Sequence, residues 1–174
     1  MPALFDPFFA FVENLRLSVW LRESPSLWGF PFVLILHTVG LAFLVGSSVA
    51  VNVRVLGLAQ GVPFGPLSRY FTVMWCGFWV NLVSGLLLLL AYPTKALTNP
   101  LFYVKLSFIA VALTLVRRIR AHLQSTLRGS GEPDAAVRGL AWGCLSCWAV
   151  SIAAGRFLAY THTRLMVDLM AWGK

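Results

Sequence analysis

Charge is scarce in this chain, and negative charge is scarcest: six Asp and Glu stand against 14 Lys and Arg, and charged residues make up only 11% of 174. Soluble domains carry about a quarter charged residues, so an ordinary soluble fold is excluded. The few acids form no carboxylate pair, and neither a phosphate loop nor a catalytic triad is present, which argues against a hydrolytic enzyme. With three histidines in all, two bis-histidine haem sites are impossible and one haem is the ceiling unless a methionine or a partner subunit supplies a ligand. The three cysteines, Cys76, Cys144 and Cys147, lie in apolar stretches. No Cys-x-x-Cys-His occurs, which excludes covalent c-type haem attachment. The opening Met1-Pro2-Ala3-Leu4-Phe5-Asp6-Pro7 lacks a basic start and an unbroken apolar run. It does not read as a signal peptide, so insertion is expected through the mature helices.

What is present is apolar length. Hydrophobic residues reach 59%, and they gather into four stretches long enough to cross a bilayer core, which needs about 20 residues. The boundaries fall at about 28–56, 70–92, 100–120 and 136–165. Gly57 to Pro66, with three glycines and two prolines, forms the first turn. Pro93 ends the second span, Asn99-Pro100 caps the third, and a polar loop is expected over 124–134. Before the spans, residues 3–20 read as an amphipathic helix lying in the interface: Asp6-Pro7 is a good start, and Phe5, Phe8, Phe9, Val12, Leu15 and Val19 share one face. The expected fold is all-α, an integral membrane four-helix bundle running up-down-up-down, with a single transmembrane domain over 1–174.

The net charge of +8 does not point to nucleic acid. Basic residues cluster at helix ends, where they set orientation and meet anionic head groups, so the expected partner is a lipid bilayer. The two sides of the membrane divide the 14 cations equally. Five of one set, Arg117 to Arg138, fall within 22 residues around a single loop, which favours the cytoplasm for that side. A bacterial inner membrane with periplasmic termini follows.

Two histidines carry the chemistry. His37 lies in the first span, ~10 Å below the interface at 1.5 Å per residue, and His162 lies at the exit of the fourth. Four antiparallel spans bring those two helix ends to one side, although the depths differ by about a helical turn. An ionisable group at membrane depth is costly and marks a functional hypothesis. Each histidine sits on a stripe of small residues: Gly40, Ser47 and Ser48 follow His37, while Ala159, Gly155 and Ser151 precede His162. Such stripes ordinarily let helices pack closely. The sharper reading is a slot for a porphyrin between the helices that supply its axial ligands. Arg156 and Arg164 are then candidates for the haem propionates, against plain interfacial snorkelling. His162, Met166 and Met170 recur at four-residue spacing; soft ligands of that kind suit copper, a weaker alternative in which Met166 also offers a substitute haem ligand. His122, beside the arginine cluster, reads as a solvated interfacial residue. Cys144-x-x-Cys147 and Trp75, Trp79, Trp142 and Trp148 read as packing or interface residues. Asn52, Asn81 and Ser84 read as hydrogen-bonding groups between helices.

His37, Gly40 and Gly46, followed by Asn52, Arg54, Leu56 and Gly57, resemble the first helix of a family of uncharacterised bacterial four-span membrane proteins, which reads His-x-x-Gly, a small-residue run, then Asp-x-Arg-x-Leu-Gly. Asn99-Pro100-Leu101-Phe102 with Lys105 is similar to that family's Asn-Pro-x-Phe-x-x-Lys at the start of helix three. The resemblance covers roughly the first two-thirds of the chain and implies the four-span topology. Asn52 stands where the family pattern has aspartate, which removes a carboxylate partner for Arg54. A looser likeness to b-type cytochrome membrane subunits rests on the histidines alone.

The leading expectation is an electron-transfer subunit holding one haem b between His37 and His162 within a larger redox complex, passing electrons between a periplasmic partner and the membrane. The alternatives are a cofactor-free structural or assembly subunit, and a copper or small-solute transport protein.

Overall fold

The computed structural model describes residues 11–59, 61, 67–129 and 134–172, with side chains at 67, 126–129, 159 and 161–172 outside the described set. After a short helical stretch at 11–13, six helices follow one another among the described residues: α1 (Arg16–Glu23), α2 (Phe30–Val55), α3 (Leu67–Ala91), α4 (Pro93–Leu97), α5 (Pro100–Gly129) and α6 (Ala135–Trp172). No strand occurs among them. Four are long and apolar enough to cross a membrane, over Phe30–Val55, Ser68–Ala91, Pro100–Ser125 and Ala135–Leu158. The chain is an all-α, multi-pass membrane protein of the four-helix bundle class.

Local chemistry sets the helix ends. Gly57 holds φ at +83°, and the paired bonds Gly57 N to Arg54 O (3.1 Å) and Leu58 N to Val53 O (3.1 Å) close α2 in a Schellman cap. Asn99 Oδ1 accepts from the Leu101 amide at 3.0 Å, and Pro100 takes the first helical position of α5, where its missing N–H costs nothing. Asp134 Oδ1 caps α6 at the Val137 amide, 3.0 Å away.

Two boundaries differ from expectation. The loop expected over 124–134 is helical as far as Gly129. Arg117, Arg118, Arg120, Gln124 and Arg128 are good helix formers, so polarity there marks departure from the membrane and not the helix end. The interfacial helix expected over 3–20 lies outside the described residues for positions 1–10. In the remainder the chain turns at Asn14 and Leu15, where Leu15 is extended (ψ 138°), and helix resumes over Arg16–Glu23. The turn redirects the apolar stripe. Leu15 is exposed, while Ser18 and Leu21 are buried.

Contacts divide the chain into two compact units, Met1–Gly46 with Thr72–Thr98, and Ser47–Phe71 with Asn99–Lys174. In the first, Leu21 of α1 packs with Val33 of α2 and Ala91 of α3, flanked by Phe30, Leu87, Leu88 and Tyr92. The Phe30 and Tyr92 rings meet edge-on, centroids 5.6 Å apart. Thr94 Oγ1 donates to Glu13 Oε1 at 2.6 Å. In the second unit α5 and α6 pack along their lengths, and Ala112, Val116, Ile119, Ala141, Cys144 and Trp148 are buried.

Candidate functional site

His37 is half-buried on α2 and is held by two residues of α3. Its Nδ1 lies 3.1 Å from the Asn81 backbone oxygen and 3.2 Å from Ser84 Oγ. A carbonyl oxygen only accepts, so the shorter contact is a hydrogen bond in the Nδ1–H tautomer, whereas Asn81 Nδ2, 3.4 Å from the same nitrogen, would donate to it in the Nε2–H tautomer. The Ser84 hydroxyl directs its own hydrogen to Val80 O at 2.6 Å, which leaves its lone pairs for the same imidazole N–H. In the Nδ1–H tautomer the lone pair of the neutral ring belongs to Nε2. Asn81 returns the contact: its Nδ2 donates to His37 O at 2.8 Å. Residues 37 and 81 thus clasp each other, each through one side-chain and one backbone group.

Glycine makes that clasp possible. A Cβ on Gly40 would stand 2.7 Å from the Asn81 nitrogen, and one on Gly77 would stand 2.6 Å from the Leu44 nitrogen. Both distances are shorter than real Cβ contacts, so α2 and α3 meet backbone to backbone here. Gly85 continues the seam below the imidazole, where a Cβ would lie 3.1 Å from His37 Cε1. The small-residue stripe after His37 is therefore a helix-packing surface at Gly40, and the backbone of α3 fills it. Asn81, Ser84, Gly77 and Gly85 belong to the site. The sequence marked Asn81 and Ser84 as hydrogen-bonding groups, but nothing local tied them to His37.

The second stripe has one described member with a notable neighbour. Gly155 of α6 lies against the Lys105 side chain of α5: a Cβ at Gly155 would be 3.6 Å from Lys105 Cδ and 3.8 Å from Nζ. Arg156, the next residue, is exposed. His162 and Arg164 lie on the helical backbone of α6, as do Met166 and Met170, and their side chains are outside the described residues. Lys105 emerges here as a site residue for which the sequence offered only a motif match.

A second polar cluster lies in the core of the Ser47–Phe71/Asn99–Lys174 unit. Trp148 Nε1 donates to Ser48 Oγ at 2.9 Å, Asn52 Nδ2 reaches the same oxygen at 3.4 Å, and the Cys144 thiol lies 3.6 Å from it. Cys144 also points to Ala112 O at 3.8 Å. Asn52 Oδ1 is buried without a hydrogen-bond partner. Cys144 and Cys147 are buried free thiols, Cys76 is exposed, and His122 is exposed.

Among the described residues no group of three or more His, Cys, Asp or Glu side chains is placed to hold a metal ion. No family model matches the chain, and neither a curated protein nor a solved structure is similar to it.

Proposed function

We propose that this protein is a membrane-embedded electron-transfer subunit that binds one haem b with His37 as an axial ligand. One observation carries the reading: His37 Nδ1 lies 3.1 Å from the Asn81 backbone carbonyl, within reach to donate to it. Metal-bound histidines nearly always donate their second ring nitrogen to a carbonyl, carboxylate or water, which fixes the tautomer and raises the basicity of the ligating nitrogen. The ring orientation here is already set by a rigid helix backbone. His162 is the sequence's candidate for the second axial position, with Met166 as its substitute, and Arg156 and Arg164 are the candidates for the propionates. When bound, haem supplies reversible one-electron chemistry. The chain's own part is to orient the ligand and keep it out of water. The arginines at 117–138 support placing that end in the cytoplasm of a bacterial inner membrane and the termini in the periplasm. A larger redox complex would supply the electron donor.

A cofactor-free structural or assembly subunit is the second reading, favoured by the backbone-level approach at Gly40 and Gly77. That approach accounts for the stripe as packing alone. The reduced-minus-oxidised absorption spectrum of the full chain, purified from haem-replete cells, separates the two. The haem reading expects a b-type signal that is lost in His37→Ala and in His162→Ala. A colourless wild-type protein of normal stability overturns it in favour of the structural subunit.

A further inference from the structure

Lys105 is a cation inside an apolar span. It lies five residues after Pro100 on α5, within the membrane-spanning stretch Pro100–Ser125, and it is half-buried. Its Cδ, Cε and Nζ run past Gly155 of α6, at 3.6, 3.7 and 3.8 Å from the position a Cβ would take there. The stem is therefore laid along the neighbouring helix and does not trail into lipid. Among the described residues no carboxylate lies within ion-pair distance of it. A charge at this depth needs a partner or water.

Geometry says where the partner comes from. Helical side chains lean toward their own helix N-terminus, so the ammonium is carried back toward the start of α5. Lys105 lies five residues into the apolar stretch that opens at Pro100, and Gly155 is the residue of α6 level with its stem. Lysine and glycine therefore meet just beneath the interface, with exposed Arg156 beside them. Apart from Arg156, the sequence neighbours of the pair are apolar and exposed: Val104 and Leu106 on α5, Ile152 and Phe157 on α6. A ligand that fits carries a negative head and hydrocarbon tails.

We propose that Lys105, seated on Gly155, is the head-group site for one anionic phospholipid on the α5–α6 face, its ammonium pairing with the lipid phosphate. Charge complementarity selects the class, and the apolar surround selects a lipid over a free anion. A Cβ at 155 would stand in ordinary van der Waals contact with the lysine stem, so alanine is accommodated there and a larger side chain displaces the stem.

Native mass spectrometry of the full chain in detergent tests this, with phosphatidylglycerol, phosphatidylcholine and inorganic phosphate as probes. The wild type should retain phosphatidylglycerol in preference to phosphatidylcholine. In Lys105→Met, which keeps the stem and removes the charge, retention should fall about fivefold, the weight of one surface cation toward anionic lipid. Lys105→Arg should keep it. Gly155→Leu, which displaces the stem with the charge intact, should lose it, and this variant decides the matter should Lys105→Met fail to fold. Equal retention of the two lipids, or undiminished phosphatidylglycerol on Lys105→Met or Gly155→Leu, overturns the site. Inorganic phosphate displacing the lipid at equal concentration overturns the lipid as its occupant.

Discussion

Asn81 and Asn52 are both asparagines in apolar spans, and they do different things. Asn81 bridges two helices through His37, donating at 2.8 Å and accepting at 3.1 Å. Asn52 makes a long bond to Ser48, four residues back on its own helix, and a contact with the Cys144 thiol of α6, and leaves its oxygen unpaired. The sequence suggested interhelical bonding for both, since polarity within a span is visible in one dimension and its partner is not. The difference has a measurable consequence. Asn81→Leu should destabilise the protein by about 1 kcal/mol, within the range for interhelical bonds in membranes. Asn52→Leu should be neutral or stabilising, because it removes a buried acceptor that already lacks a partner. Denaturant unfolding in bicelles checks both, and equal losses would contradict the assignment. His37 itself was legible: a histidine seven residues into a long apolar helix stands out. Its partners were not, because they are the backbone carbonyl and side-chain amide of a residue 44 positions away.

At the scale of the element, glycine separates seams from open surface. Gly40 and Gly77 are the points where α2 and α3 touch backbones, whereas Gly46 has nothing within 4 Å of its absent Cβ. All three look alike in sequence. Gly40→Leu should cost about 1–3 kcal/mol through overpacking. Gly46→Ala should leave stability unchanged or slightly raised, since alanine is the better helix former. Comparable destabilisation by the two would mean that α2 and α3 do not cross where described. The spans were readable to within a few residues, because hydropathy and proline mark them plainly. The end of α5 was not, because arginine and glutamine leave the membrane without leaving the helix. The turn at Asn14–Leu15 was missed for a related reason. Apolar periodicity finds a buried face only where water is the alternative, and Leu17 and Trp20 remain exposed while Ser18 is buried.

That inversion holds across the molecule. Ser18, Ser47, Ser48, Asn52, Ser84, Asn99 and Ser151 are buried, while Leu34, Ile35, Phe43, Val83 and Ile152 are exposed. Lipid removes the hydrophobic drive to bury large side chains, so close packing and hydrogen bonding select small and polar residues for helix contacts. Fold class and span number were accordingly plain from composition. Which side chains face one another was not. Orientation rests on the arginines between 117 and 138, so a C-terminal alkaline phosphatase fusion should be active and a C-terminal green fluorescent protein fusion dark. The reverse pattern would invert the topology. The claim on which the functional reading turns is that His37 presents Nε2 to haem iron, and low-temperature electron paramagnetic resonance of the oxidised, haem-loaded chain examines that ligand directly. A low-spin ferric signal of bis-histidine type, abolished or converted to high spin by His37→Ala, is the predicted result. A haem signal indifferent to His37→Ala, or none after haem loading of the folded wild type, would contradict it.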